Sequence, residues 1–371
     1  MCIRDRLKDI YLPKFLNGEY FATMCLTEAH CGTDLGLIRT KAVPENDAFR
    51  VSGQKIFITA GEHDLSDNII HLVLAKLPDA PPGAKGISLF LVPKILVNDD
   101  GSLGDRNGVN CVSIEEKMGV HGSPTCVLSF EESLGYLVGE PHKGLEAMFS
   151  MMNNERIAVG MQGLGVAEIS YQNALLYAKD RLQGRDLKGA KKPSEEADPL
   201  LVHPDIRRML LRAKALIDSS RMLSAWTALA IDRSVKDPDE KVRKANNDLV
   251  ELMTPIIKSI LTDYGVEISS EMLQIFGGHG YIREYGMEQF YRDARIAPIW
   301  EGTNGIQAMD LAGRKMPQGM GRLLRRFFHP ALAFIEENRG DENLKEFVIC
   351  LLYTSDAADE GLGVDLGGRR I

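Results

Sequence analysis

No G-x-G-x-x-G joins a strand-like stretch to a helix-like one in this chain, and no G-x-x-x-x-G-K-[ST] occurs, which argues against a Rossmann domain and a P-loop. G-x-S-x-G and H-E-x-x-H are missing too, so neither a serine-hydrolase elbow nor a zinc-protease helix is expected. No apolar run reaches membrane-spanning length, and no signal or transit sequence is visible. Six cysteines (Cys2, Cys25, Cys31, Cys111, Cys126, Cys350) never fall in C-x-x-C spacing, which fits reduced thiols in a cytosolic protein better than a disulfide frame or a zinc site. The net charge of -8, with acids and bases interleaved, lacks the basic excess that marks nucleic acid as the main partner.

What is present is enough for two or three domains, because 371 residues at 44% hydrophobic can bury a full core. Both ends differ from the rest. "MCIRDR" and "LLYTSDAADEGLGVDLGGRRI" read as translated adapter or vector sequence, so the native part is expected from about Leu7 to about Ile349 and the chain is read as a fragment. Between those limits the hydrophobic period changes once, near residue 140. Before it, short apolar or alternating runs ("FRVSGQKIFIT", "IIHLVLAK", "GISLFLVPK", "GVNCVSI", "TCVLSF") are separated by Gly, Pro, Asn and Asp, which predicts an all-β barrel or sandwich. After it, apolar residues recur three and four apart from Ile157 to Ala178 and from Ile206 to Ile217, the stripe of long packed helices. Residues 183–205 between them are polar and proline-bearing, hence a loop. Further helices are expected at about Glu240 to Leu261 and Asp263 to Ile275, stopped by Gly277 and Gly278, and four such helices make a bundle.

Few residues look chemical on pattern alone. Glu62, His63, Asp64 and His71 in "GEHDLSDNIIH" match no metal-site spacing and read as a solvated loop, so no metal is expected. His279 in "GGHGYI" reads as a turn residue. "MCLTEAHCGTDLG" and "GQKIFITAG" each end an apolar strand with threonine beside small residues, where backbone and hydroxyls approach a flat ligand; an ordinary hairpin is the plainer reading of either. In "PIWEGTNGIQ" one carboxylate, Glu301, lies between an apolar run and a Gly-Thr-Asn-Gly turn: it is either a base raised in strength by desolvation or an acid favoured by a helix N-terminus.

Five motifs in a fixed order connect these pieces: L-T-E-x-x-x-G-[ST]-D at Leu26 to Asp34, G-x-K-x-[FW]-I-T at Gly53 to Thr59, Y-x-x-x-R at Tyr177 to Arg181, Q-x-x-G-G-x-G-[FY] at Gln274 to Tyr281, and R-D-[AS]-[RK] at Arg292 to Arg295 leading to Glu301, Gly302 and Thr303. From about Tyr20 to Lys315 the sequence resembles the acyl-CoA dehydrogenase family. The longer forms "HCGTDLGLIRTKA" and "YAKDRLQGR" look most like a bacterial branch that includes the 3-methylmercaptopropionyl-CoA dehydrogenases.

The resemblance implies a multidomain α+β fold with a β-barrel middle domain followed by a four-helix bundle. It divides the chain into a non-native leader (1–6), the end of a mostly missing N-terminal helical domain (7–20), a β-barrel flavin and acyl-CoA domain (21–138), the four-helix bundle with the catalytic glutamate (139–316), the start of a C-terminal helical extension (317–349) and a non-native tail (350–371). It implies FAD as cofactor and Glu301 as the base that takes the α-proton of an acyl-CoA thioester while the β-hydride passes to the flavin. Cys25, Leu26, Thr27, Gly32 and Thr33, with Phe57, Ile58 and Thr59, would lie along the flavin; Thr303 and Asn304 join the cofactor set; Arg181, Gln274, Gly277 and Gly278 would reach the adenine-pyrophosphate half from a neighbouring subunit, giving a homodimer or homotetramer. Thr33, Arg156 and Gly302 would face the substrate; the alternative for Arg156 is a structural ion pair with Glu155 or another acid.

The chain departs from the family at Gly184, where most relatives carry phenylalanine, and at Gly305, where many carry glutamine. The implied reaction is dehydrogenation of 3-methylmercaptopropionyl-CoA or a fatty acyl-CoA in a bacterial cytoplasm, with an electron-transfer flavoprotein as acceptor, no nucleic acid and no membrane. The alternatives are an acyl-CoA oxidase using dioxygen, or a nucleic-acid-binding relative of the alkylation-response type, for which Lys188, Lys191, Lys192, Arg207, Arg208, Arg212 and Lys214 would form the patch.

Overall fold

The computed structural model describes residues 3–362, with side chains from 5 to 354. Met1 and Cys2 of the expected leader, and residues 363–371 of the expected tail, lie outside the described residues. Packing divides the chain into two units, residues 1–155 and 156–371.

The first unit opens with helix α1 (Ile3–Leu16) and then alternates strands with turns: β1 (Tyr20–Cys25), β2 (Lys41–Glu45), β3 (Ala48–Thr59), β4 (Asn68–Lys76), β5 (Ile87–Pro93), β6 (Ile95–Val97), β7 (Leu103–Arg106), β8 (Val109–Ile114) and β9 (Thr125–Val138). Each apolar run read from the sequence is a strand, while β1, β2 and the small β6–β7 ribbon are too short or too polar to show as runs. The strands pair in the order β1-β4-β2-β3-β9-β5, β8 joins β9, and β5 pairs back onto β4. Pairing therefore returns on itself, through a single Lys41–Lys76 bridge between β2 and β4. β4 and β5 are buried on both faces, which is why they read as continuous hydrophobic runs. Cys25, Val51, Phe90, Cys126 and Phe130 are part of the core inside.

Helix α2 (Gly144–Asp180) begins at Gly144, where the helical spacing sets in, six residues after β9 ends at Val138. Most of α2 belongs to the second unit, with α3 (Pro204–Lys236) and α4 (Glu240–Ile275). Leu164, Ala167, Ala174, Met209, Ile217, Ile257, Leu261 and Ile268 make their shared core. The two helices expected from Glu240 to Ile275 are one: Asp239 caps its start, Gly277 at φ +57 follows its end, and nothing near Thr262 breaks the i to i+4 ladder. Three long helices therefore stand where four were expected. The remaining pieces are short: α5 (Gly278–Tyr281), α6 (Met287–Ala294) and α7 (Asn304–Asp310), which runs into a π turn at Leu311–Lys315. Helix α8 (Arg322–Asn338) is tied to α4 by Arg322 and Arg326 on the buried Asp248. Helix α9 (Lys345–Leu362) carries the backbone past Ile349, where the sequence pattern breaks off.

Candidate functional site

In the first unit, two of the motifs are hydrogen-bonded to each other. Ile56 N donates to Thr27 O at 2.9 Å, and Lys55 Nζ donates to Leu26 O and Glu28 Oε1, both at 2.9 Å. Lys55 is fully buried, an ammonium that the fold tolerates because Glu28 neutralises it. Glu28 also accepts from Thr40 N and Oγ1 and from Arg39 N; burial pushes its carboxyl up, but Lys55 and these donors outweigh that and hold it at about 2.

Between Lys55 and Ile58 the β3–β9 register slips, a bulge that turns Phe57 outward at φ +59 and 60% exposed. A bulky residue in the left-handed region, with an uncovered ring, is the kind of strain that accompanies a binding surface. Thr59, Gly32 and Thr33 are also exposed, and Leu26 and Thr27 are half-buried. Cys25 and Ile58 differ: both point into the β core, and burial pushes the Cys25 thiol up to about 12, so contact with a ligand is left to their backbone.

In the second unit Glu301 is half-buried with its backbone at φ +54, followed by Gly302 at φ +82. Helix α7 starts at Asn304 with Thr303 as its N-cap, Oγ1 accepting from Ile306 N, so Glu301 stands two residues before the cap. Left-handed backbone at a non-glycine residue costs on the order of 1–3 kcal/mol and persists only where its surroundings hold it. Here the surroundings are Gln307, fully buried, whose Nε2 donates to Gly302 O at 3.0 Å and Glu301 O at 3.4 Å, and Asn304 N, which closes the loop on Pro298 O at 3.1 Å. A Cβ at residue 302 would meet Gln307 Nε2 at 2.8 Å and lie 3.6 Å from an Arg156 Nη, and the φ of +82 is one that other side chains adopt only under strain, so glycine is favoured there.

Around Glu301 the apolar run is mixed, Ala297 buried and Ile299 48% exposed, and two cations, Arg156 and Lys258, interact with the carboxylate. Arg156 is 3% exposed and pairs with Asp310 at 3.5 Å, not with Glu155; Asp310 in turn takes Arg314 Nε at 2.7 Å. The second cation is Lys258 on α4, fully buried, with Nζ donating to Asn304 Oδ1 at 2.8 Å. Burial pushes Lys258 down to about 8; Asp263 and Glu301 act upward and Arg156 downward. Asn304 Nδ2 also donates to Ser259 O, Thr262 Oγ1 and Asp263 Oδ1, so this side chain is tied to α4. Lys258, Gln307 and Asp310 were not singled out in the sequence. The signal for the lysine was there: Thr254, Lys258 and Thr262 form a polar row at spacing four inside an apolar helix, and all three are buried.

At the far end of the long helices, Arg181, Gln274, Gly277 and Gly278 are exposed together, joined through Tyr177, which stacks on Phe276 at 4.0 Å between centroids and hydrogen-bonds His279 Nδ1 at 2.8 Å. A Cβ at either glycine would meet nothing within 4 Å, so the backbone there is open to a ligand.

Other expected groupings do not form. Glu62 pairs with Lys94 and Arg106, while His71 sits fully buried in β4 on Thr23 Oγ1 at 2.7 Å, held down to about 3 by burial and Lys94. Glu28, His30 and Cys31 have ligand atoms within 4.8 Å of one another, but Lys55 already supplies the positive charge that Glu28 would offer a metal. Of the proposed basic patch, Arg208, Arg212 and Lys214 pair with Asp205, with Glu267 and Glu271, and with Asp218. Among the described residues no helix is long and apolar enough to cross a membrane.

Residues 23–133 match the profile described as acyl-CoA dehydrogenase, middle domain, and residues 142–316 that described as acyl-CoA dehydrogenase, C-terminal domain. A 3-methylmercaptopropionyl-CoA dehydrogenase of Ruegeria pomeroyi is 49% identical over 324 residues, 87% of this chain and 54% of the relative. A butyryl-CoA dehydrogenase of Syntrophomonas wolfei is 38% identical over 357 residues, 94% of this chain and 58% of the relative. The chain thus spans a little over half the length of these curated relatives. The solved structure of butyryl-CoA dehydrogenase from Megasphaera elsdenii is similar at a TM-score of 0.64 and 29% identity, covering 82% of this chain and 70% of that one. The chain belongs to the acyl-CoA dehydrogenase family, whose members are FAD-dependent flavoproteins.

Proposed function

We propose that this chain carries the α,β-dehydrogenation of an acyl-CoA thioester, with Glu301 as the base that removes the α-proton. The observation that carries this reading is the Glu301 loop: a half-buried carboxylate in left-handed backbone, fixed by Gln307 and acted on by two buried cations. Both cations interact with the carboxylate, and a nearby positive charge favours its ionised, proton-accepting form. A backbone N–H of the same loop would polarise the thioester carbonyl and lower the cost of the charge that grows there.

The residues fit FAD. Phe57 offers an uncovered aromatic face, Thr27, Thr59 and Thr33 offer hydroxyls, and the open Gly277–Gly278 backbone with Arg181 and Gln274 suits a pyrophosphate, from a neighbouring copy in a homodimer or homotetramer. When bound, FAD supplies the acceptor for the two electrons that leave with the β-hydrogen. The strand pairing that returns from β5 to β4 supports a β-barrel for the first unit. The relative named for 3-methylmercaptopropionyl-CoA favours a thioether acyl chain, and the butyryl-CoA dehydrogenases a short linear one. An electron-transfer flavoprotein is the proposed acceptor.

The test is to record the flavin spectrum anaerobically while adding 3-methylmercaptopropionyl-CoA, butyryl-CoA and longer thioesters. Bleaching of the oxidised flavin band supports the reading, and the fastest thioester names the substrate class. A bound flavin that no thioester reduces overturns it, and peroxide formed in air at the rate of substrate loss replaces the dehydrogenase with an oxidase.

A further inference from the structure

Lys258 is out of place as a structural residue. It lies in the middle of α4 between Ile257 and Leu261, fully buried, and its ammonium donates to a neutral amide oxygen, Asn304 Oδ1, at 2.8 Å. Lys55, the other fully buried lysine among the described residues, shows what a structural role looks like: its partner is a carboxylate at 2.9 Å. An apolar side chain of the same length would fill the Lys258 position without a buried charge to compensate, so the charge itself needs an explanation.

The groups facing Lys258 supply one. On its own helix are Asp263, and Ser259 and Thr262, which share Asn304 with it. From α2 comes Arg156, a like charge already paired with Asp310 of α7. From the loop before α7 comes Glu301, which acts on both cations. Asn304, the residue that Lys258 holds, is three positions beyond Glu301, and its N–H closes the same loop on Pro298 O. One ammonium thus grips the loop that carries the base and interacts electrostatically with its carboxylate.

We propose that Lys258 is a positioning residue for Glu301: through Asn304 it fixes the loop that carries the base, and its buried positive charge favours the ionised form of that carboxylate. This rests on Glu301 being the base. A cation favours the carboxylate over the carboxylic acid, so removing it raises the pH at which Glu301 loses its proton. Burial has pushed the ammonium down to about 8, which keeps it charged at neutral pH and lets it lose that charge in mildly alkaline solution.

The test compares Lys258→Met, which loses both the charge and the contact with Asn304, with Lys258→Gln, whose amide can still donate to Asn304, in flavin-loaded protein. The first readout is the rate of flavin reduction by butyryl-CoA against pH. Both variants should move the acid limb upward by about one pH unit and approach the wild-type rate at higher pH, the glutamine variant more completely. The second readout does not depend on turnover: the infrared carbonyl band of a protonated carboxyl that vanishes in Glu301→Gln, followed against pH. That band should persist to higher pH in both Lys258 variants. A rate that falls equally at all pH values, or a band that titrates as in wild type, overturns the proposal. If no thioester reduces the wild-type flavin while the band still shifts, the base assignment fails and the influence of Lys258 on Glu301 stands.

Discussion

Two buried lysines separate structure from function at the scale of single residues. Lys55 joins two strand ends through Glu28, and Lys55→Met would leave that carboxylate buried without its counter-ion. Breaking such a pair costs about 3–5 kcal/mol, so this variant should unfold at markedly lower temperature or denaturant, as followed by circular dichroism. The pair also fixes a pH window. Glu28 is depressed from 4.5 to about 2, so its contribution is complete above the ordinary value and fades as pH falls between the two, and acid unfolding of the wild type should begin in that range.

Lys258 has the opposite sign. Its depressed value means that the unfolded chain binds the proton more strongly between about 8 and 10.5, so stability should rise with pH across that interval. Lys258→Met should be more stable than wild type at pH 7, with the gap closing as pH rises through that window; a less stable variant would show that the lysine serves packing. The polar row of Thr254, Lys258 and Thr262 marks Lys258 in the sequence, but not its burial, because a lysine inside an apolar stretch is written the same way whether it snorkels to solvent or stays inside. Glu301 was legible, through the motif around it; the cations that face it come from α2 and α4, more than 40 residues away in sequence for the nearer, and no local pattern connects them.

Among elements, the contact of α2 with α4 is set by glycine. A Cβ at Gly163 would stand 2.4 Å from Leu261 O, and one at Gly265 would stand 2.9 Å from Gly163 Cα, so the two backbones meet directly. Gly163→Val would force the helices apart. Overpacking of this kind costs about 1–3 kcal/mol where side chains can give way, and more is expected against backbone. A denaturant midpoint unchanged in this variant would contradict the close crossing.

The same helices show what periodicity can and cannot tell. The stripe from Ile157 to Ala178 placed α2 well, since 3.6-residue spacing needs only one buried face. It failed on α4, which was split near Thr262: the polar row of Thr254, Lys258 and Thr262 interrupts the hydrophobic pattern while leaving the backbone ladder whole. The continuous runs of β4 and β5 were clear, and β2, with Pro44 and two charged residues in five, was not.

At the scale of the molecule, the two profile matches fall on either side of the change from strands to helices, residues 23–133 and 142–316. The order of motifs along the chain was therefore as informative as any one of them, because it tied a bulged strand end, an open glycine turn and a carboxylate loop into one family pattern. The central claim is that this chain uses Glu301 to take a proton from carbon next to a thioester. The most direct measurement is exchange of that proton with solvent: flavin-loaded protein is incubated with butyryl-CoA in deuterated water without an electron acceptor, and the recovered thioester is weighed by mass spectrometry. Wild type should place deuterium at the α-carbon, and Glu301→Gln, still holding flavin, should do so slower by about a hundredfold or more. Exchange at the wild-type rate in Glu301→Gln would contradict the account.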